Sequence, residues 1–394
     1  MLQYTYLIVG GGMTADAAAQ GIREVDANGT IGLVGAEPHP PYNRPPLSKA
    51  LWKGDPEESI WRKTAATGAQ LTLGRRVTAI DPRGHTATDD RGTVCRFEKL
   101  LLATGGLPRR LPAQSDAVIY FRTLEDYRRL RGLAGEGARC AVIGGGFIGS
   151  EIAAALRMQG GGRDVTMLVP EAGVGARVFP ADLSTFLVDY YRQKGVVMRM
   201  GEGVAGLDQR GGKSVLRTTT GGELTADVVV AGLGIVPAVE LAQQAGLRVE
   251  NGIVVDAFCR TSQPDVYAAG DVANFANPAL GTRLRVEHED NANTMGRVAG
   301  LNMAGRATDY DHLPFFYSDL FELGYEAVGD VDARLETVAD WKEPFREGVV
   351  YYLKDGRVRG ALLWNTWGQV DHARALIAEP GPFRPGDLKG RLPR

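Results

Sequence analysis

Cysteine is scarce in this chain: Cys95, Cys140 and Cys259 are the three among 394 residues. They stand far apart in sequence and in no CxxC or CxxxxC arrangement. That excludes a disulfide framework and the dithiol motif that usually marks a disulfide reductase, although distant cysteines could still meet in space. Five histidines, none clustered with cysteine, offer no metal-ligand spacing. No apolar stretch approaches the roughly 20 residues that span a bilayer, so no membrane span is expected. An excess of one charge is missing too: 45 Lys and Arg face 47 Asp and Glu, a formal charge of −2. Such a balance gives no electrostatic reason to expect nucleic acid as a partner. The first apolar strand begins almost at once, leaving no room for a signal or transit peptide, and the cytoplasm is the expected location.

What the chain has in quantity is glycine, 52 residues, within an ordinary globular balance of 44% hydrophobic and 23% charged residues. Its length calls for two or three domains. Two glycine-rich turns dominate the pattern: Gly10-Gly11-Gly12-Met13-Thr14-Ala15 and Gly144-Gly145-Gly146-Phe147-Ile148-Gly149. Each follows an apolar run that reads as a strand, Tyr6–Val9 and Cys140–Ile143, and opens an Ala-rich helical stretch, Ala15–Arg23 and Ser150–Met158. Glycine lets the backbone approach a pyrophosphate, and the first-turn N–H groups with the helix dipole stabilise its charge. One such turn is weak evidence; two in the same context point to two dinucleotides.

An acid follows the second strand of each unit at the same offset, Glu37 after Ile31–Val34 and Glu171 after Val165–Val169. Either can accept from a ribose hydroxyl or be a solvated loop acid. A carboxylate at Glu171 repels the 2′-phosphate of NADP, which favours NADH; Arg177 nearby could hold that phosphate, which keeps NADPH as the alternative. Between the units, Pro40 to Lys49 is stiffened by four prolines and reads as non-helical until Leu47. Lys99–Thr104 reads as a buried strand that delivers Thr104 and Gly105 to a further glycine turn. Asp227–Ala231 leads to the turn holding Gly234, and Val266 to Asp271 reads as an apolar strand ending in a Gly-Asp pair. From about Leu313, strand-like runs alternate with turns, Asp355-Gly356 being a strong hairpin signal, before a helix over Val370–Ala378 and an extended or poorly ordered tail from Glu379. The expected fold is α/β, with two Rossmann-like dinucleotide-binding domains and a C-terminal antiparallel α+β domain. Its segments are 1–121 and 246–312 for the first domain, 122–245 for the second and 313–394 for the third.

Taken together the chain resembles the FAD-dependent pyridine-nucleotide oxidoreductases. PYNRPPLSK (Pro41–Lys49) is similar to the segment of ferredoxin and rubredoxin reductases and of apoptosis-inducing factor. VEHEDNA (Val286–Ala292), FYSDL (Phe316–Leu320) with GYEAVG (Gly324–Gly329), and GVVYYLKDG (Gly348–Gly356) are most like the apoptosis-inducing-factor type, without its targeting region and long C-terminal insertion. The mildly acidic balance does not support the DNA binding associated with that type.

The resemblance implies FAD at the first turn, with Gly10, Gly12, Ala15, Glu37, Arg44, Thr104 and Gly105. Asp271 would meet the ribityl chain, and Glu287 and His288 would stand near the flavin. It implies NADH at the second, with Gly144, Gly146, Gly149, Glu171 and Gly234, and with Glu326 and Tyr317 bordering the nicotinamide. Tyr317 stands where the family commonly has tryptophan. Lys49 and Glu151 match a pair near flavin N5; alone, Glu151 reads as a first-turn acid favoured by the helix dipole. Phe147 covers the flavin or merely packs, and His288 either stabilises reduced flavin or is a capping or core imidazole. Two functions follow from the resemblance. One is a reductase delivering electrons to a ferredoxin, a rubredoxin or a quinone. The other is a redox-responsive protein whose slow NADH-dependent flavin reduction controls dimerisation or partner binding.

Overall fold

The computed structural model describes residues 1–112 and 115–392. Residues 113 and 114, inside the expected first segment, and 393 and 394, ending the expected third, lie outside the described residues. The chain divides into two compact units: Met1–Arg44, Glu57–Leu107 and Val236–Phe315 form one, and Pro45–Pro56, Pro108–Ile235 and Phe316–Arg394 the other. The proline-rich segment is thus shared out at Arg44 and Pro45.

The first unit is built on parallel strands in the order Gln70–Leu73, Ile31–Gly35, Leu2–Val9 and Val94–Leu102, with Val266–Ala268 beyond them. Ile31–Gly35 is buried along its whole length, as a strand covered on both faces must be. The strand expected over Lys99–Thr104 in fact runs from Val94 to Leu102. Its second half pairs in parallel with Val266–Ala268, and its first half pairs antiparallel with Thr86–Asp89, which lengthens it at the start. The helices Met13–Arg23 and Glu289–Met303 touch backbone to backbone, since a Cβ on Gly300 would come within 2.2 Å of the Ala18 carbonyl oxygen.

The second unit repeats the plan with parallel strands Val196–Met200, Asp164–Val169, Arg139–Ile143, Val228–Ala231 and Val118–Tyr120, in that order. It also carries the C-terminal antiparallel sheet, ordered Phe315–Leu320, Leu323–Gly329, Arg357–Trp364, Glu347–Lys354 and Glu336–Glu343. The helix Val370–Ala378 packs on two of its strands. Asp355 and Gly356 both take positive φ, 52° and 70°, as a tight hairpin turn requires. Two local readings are corrected. Pro45–Ser48 is a turn of 3₁₀ helix, because proline is tolerated where the first-turn N–H has no partner. The tail from Glu379 is not simply extended: Pro385–Leu388 is helical, and Leu388 and Leu392 are buried.

In each parallel sheet the strand order reverses between the first strand and its neighbour, and the crevice beyond the strand ends at such a switch is where doubly wound sheets bind ligands. The elements form the expected α/β class with two Rossmann-like folds and a C-terminal antiparallel α+β part.

Candidate functional site

Gly10 ends the strand Leu2–Val9 at φ +133°, and a Cβ there would lie 2.1 Å from the Ala103 carbonyl oxygen. Only glycine lets the two strand ends meet at the switch. Gly12 follows as the N-cap of Met13–Arg23; no side chain caps this end, and a Cβ on Gly12 would meet nothing within 4 Å. The helix start is thus uncapped and open beside Gly12, which fits the pyrophosphate of a dinucleotide. Ala15 is buried one turn further on. The expected strand up to Asp271 stops at Ala268, and Asp271 sits in a 3₁₀ turn, Gly270–Val272. Gly270 presses so closely on Thr14 that a Cβ would lie 2.2 Å from its hydroxyl, which sets the turn against the first glycine helix.

Around this cradle the Tyr42 hydroxyl donates to Glu37 Oε2 at 2.6 Å, and Arg44 pairs with Oε1. Burial opposes the Arg44 charge, but Tyr42, Glu37 and Asp271 more than offset it and raise its basicity. Thr104 donates its hydroxyl proton to the Ala238 carbonyl at 2.8 Å, and Gly105 turns the chain at φ +64°. Arg285 pairs with Glu287 at 2.6 Å and donates to the Asp271 carbonyl at 3.2 Å. His288 holds the N-cap position of Glu289–Met303 but its side chain makes no capping bond, which removes the capping alternative. Sequence reading passed over Asp16, fully buried in the first helix and bound by Arg62 Nε at 2.6 Å, Thr64 Oγ1 at 2.5 Å and Gln20 Nε2 at 2.7 Å. Its signal was an acid inside an Ala-rich apolar helix.

The second cradle repeats the first. Gly144 takes φ +102°, with a Cβ that would lie 2.5 Å from the Gly232 carbonyl oxygen, and Gly146 is an uncapped N-cap beside open space. Gly149 has no room for a side chain, its Cβ position being 2.0 Å from the Gly144 carbonyl oxygen. Glu171 pairs with Arg177 at 2.8 Å; the acid is 32% exposed and the guanidinium 86%. Gly234 turns at φ +78°, and its carbonyl accepts from the Arg109 N–H at 2.9 Å.

The helix of this unit begins at Phe147, not Ser150, so Glu151 lies in the second turn and the dipole reading of it falls away. It is held by other means. Lys49 Nζ stands 2.7 Å from Glu151 Oε1, with side chains 11% and 3% exposed. Ser318 donates to the same oxygen at 2.6 Å and Ser48 to Oε2 at 2.5 Å. The Lys49 ammonium also lies 5.2 Å from the centre of the Tyr317 ring. Burial and the Glu151 charge push the Tyr325 hydroxyl well above its ordinary pKa, against its hydrogen bond with Ser318. Sequence reading brought Lys49, Glu151 and Tyr317 forward but missed Ser48 and Ser318; their adjacency to Lys49 and Tyr317 was the available signal. Phe147 is half-buried and meets Phe316 edge-on at 5.1 Å. Glu326 falls outside the Lys49 cluster: it alternates with Tyr325 along the strand, accepts from the Gly368 N–H at 3.1 Å, and is raised in pKa by burial.

The three cysteines are free and buried, so no disulfide joins them, and burial pushes the Cys140 thiol up to about 11. Among the described residues no group of His, Cys, Asp and Glu is arranged for a metal ion, and no helix is long and apolar enough to cross a membrane.

Comparison with known proteins accords with this geometry. Residues 4–296 match the family described as pyridine nucleotide-disulphide oxidoreductase, and residues 299–344 and 339–379 match the C-terminal domain of mitochondrion-associated apoptosis-inducing factor. The ferredoxin–NAD(+) reductase component of the anthranilate 1,2-dioxygenase system of Burkholderia cepacia is 38% identical, over 95% of this chain and 94% of that protein. Mitochondrial apoptosis-inducing factor 1 of Dictyostelium discoideum is 32% identical, over 95% of this chain and 78% of that protein. The crystal structure of a covalent putidaredoxin reductase–putidaredoxin complex matches with a TM-score of 0.91 at 33% identity, covering 98% of this chain and 96% of that one. With both cradles, the full-length relatives and the C-terminal match in agreement, the chain belongs to the pyridine nucleotide-disulphide oxidoreductase family, in the group that carries the apoptosis-inducing-factor C-terminal domain.

Proposed function

We propose that this protein is an FAD-dependent NADH oxidoreductase that passes electrons to a small iron–sulfur protein of the ferredoxin type. The observation that carries the reading is the buried pair between Lys49 of the proline-rich segment and Glu151, on the helix opened by the second of two uncapped glycine cradles. Segments 1–121 and 246–312 would bind FAD, 122–245 NADH, and 313–394 would supply Tyr317 beside the nicotinamide, with Glu326 left out because it lies outside the Lys49 cluster. When bound, FAD accepts a hydride from the reduced nicotinamide and gives up the two electrons one at a time.

The chain's own groups position and balance charge. The N–H groups after Gly12 and Gly146 donate to the two pyrophosphates, and Arg44 adds a cation at the first. Glu37 and Glu171 accept from adenosine ribose hydroxyls, and Asp271 from the ribityl hydroxyls. Lys49 gives one N–H to Glu151 and keeps others for the nicotinamide carboxamide. His288 and the start of its helix balance negative charge on the reduced flavin. Phe147 covers the nicotinamide site until the coenzyme enters. Preference for NADH rests on Glu171, whose carboxylate repels a 2′-phosphate and whose partner Arg177 is already neutralised by it. The redox-responsive alternative is not favoured, because reductase components resemble this chain over almost its full length.

Anaerobic stopped-flow reduction by NADH and NADPH, followed by oxidation with a plant-type ferredoxin, a rubredoxin and a quinone, tests the proposal. Flavin that NADH leaves oxidised, or reduced flavin that no ferredoxin reoxidises, would reject it. The reading places the protein in the cytoplasm, and sedimentation with and without NADH checks for pairing with a second copy.

A further inference from the structure

Glu151 is almost sealed from water, and both of its oxygens are engaged by the protein. A carboxylate has about four acceptor sites, and leaving them unmet in a buried place is costly. Lys49 alone would fix little, because an ammonium on a flexible stem is a rotatable point charge. Two hydroxyls on opposite oxygens do more: Ser48 at Oε2 and Ser318 at Oε1 set the plane of the carboxylate. Ser48 ends the 3₁₀ turn Pro45–Ser48, so one donor and the cation come from neighbouring residues of the proline-stiffened segment.

Ser318 comes from the C-terminal sheet, on the strand Phe315–Leu320. A serine hydroxyl has one proton, and this one goes to Glu151. The neighbouring strand Leu323–Gly329 is anchored by Tyr325, stacked on Trp364 at 5.7 Å with rings 7° from parallel and edge-on to Phe179 at 5.2 Å. A hydroxyl carried on the C-terminal sheet thus fixes the carboxylate that orients the ammonium.

We propose that Ser318, together with Ser48, is a positioning residue for the Lys49–Glu151 pair, so that the C-terminal sheet sets the direction of the Lys49 ammonium in the reductive step. The inference rests on the role given to Lys49 and Glu151 above. Holoenzyme variants Ser318→Ala, Ser318→Thr, Ser48→Ala and Glu151→Gln, the last with and without Ser318→Ala, form the test. Two quantities are read: the rate of flavin reduction by NADH, and the flavin midpoint potential from a dye-coupled titration without NADH.

Ser318→Ala should slow reduction by about tenfold, the effect of one lost hydrogen bond to a charge, and shift the potential. Ser318→Thr should restore both. In the Glu151→Gln background, Ser318→Ala should change the rate by less than about twofold, because the group it positions has gone. Wild-type rate and potential in Ser318→Ala would overturn the proposal, as would rate losses that simply multiply in the double variant, the mark of independent disturbances. If Ser318→Ala does not fold, Ser48→Ala carries the same expectations and the same refutation. Wild-type enzyme that NADH does not reduce would sink the proposed function, whereas the midpoint potentials would still decide the role of Ser318.

Discussion

Replacing Lys49 with methionine removes the ammonium while keeping most of the stem, and its consequences separate stability from chemistry. The Lys49 and Glu151 side chains are 11% and 3% exposed, so the single change strands a charge in the interior. Removing one partner of a buried pair costs about 3–5 kcal/mol. Ser48 and Ser318 still donate to the carboxylate, which argues for the low end, about 3 kcal/mol. At the ~2–4 °C per kcal/mol of a domain of this size, the second unit should lose about 6–12 °C in melting temperature. The melts need saturating FAD, since a ligand bound only to the native state shifts the midpoint by mass action. Adding Glu151→Gln removes the stranded charge and keeps an amide oxygen for a serine hydroxyl, so the double variant should regain most of that stability. Reduction by NADH should stay slow in both. A Lys49→Met protein that melts like wild type would refute the burial argument. A double variant that is reduced at the wild-type rate would refute the role of the pair in the reductive step.

Three further outcomes are expected. Glu171→Gln should lower the NADH-over-NADPH preference in kcat/KM by roughly fivefold, about 1 kcal/mol of repulsion between charges ~4 Å apart in water-like surroundings; an unchanged ratio would remove Glu171 from coenzyme selection. Gly146→Ala should fold normally, since its φ of −81° is ordinary and a Cβ there meets nothing within 4 Å, yet raise KM for NADH about tenfold through one weakened charged hydrogen bond. Gly149→Ala, whose Cβ would lie 2.0 Å from a carbonyl oxygen, should lower the melting temperature as well; identical behaviour of the two variants would contradict the cradle geometry. Hydrogen bonds from Lys194 and Tyr190 lower the Glu322 carboxyl to about 2, so its contribution to stability is full above its ordinary value of 4.5 and is lost as pH falls through about 2. Glu322→Gln should therefore flatten the acid limb of a melting-temperature-against-pH curve by lowering the neutral plateau, only slightly because the Glu322 side chain is 70% exposed; a neutral melting temperature and an acid limb both like wild type would refute this.

The parallel sheets were legible because their signals are local: an apolar run, a glycine turn and an Ala-rich helix lie within one stretch of chain. Helix starts were placed late at both turns because the residues after each glycine, Met13 and Phe147, carry no capping oxygen to mark the boundary; glycine itself is the N-cap. That error had a chemical consequence, since it put Glu151 in the first turn and offered the helix dipole as its explanation. Ser48 and Ser318 were out of reach for a different reason. Serine is too common for its type to carry information, and what distinguishes these two is a shared acceptor far away in sequence. Asp16 could have been read, because an acid on an otherwise apolar helix face needs a partner; the partner Arg62, however, lies in a loop with no periodic signal.

The two cradles are alike in backbone and unlike in how they are enclosed, and the difference bears on which cofactor would stay. At the first, Glu37 is gripped by buried Tyr42 and by Arg44, both on a chain stiffened by proline on either side. A dinucleotide held there leaves only if several tied groups move together. At the second, Glu171 has the exposed Arg177 as its partner, and exposed ion pairs are weak, ~0–1 kcal/mol. A coenzyme arriving at Glu171 displaces one solvated guanidinium and little else. Glycine spacing, the same at both turns, carries none of this distinction. The asymmetry that the proposed resident FAD and exchangeable nicotinamide coenzyme would require lies in the side chains that follow each second strand.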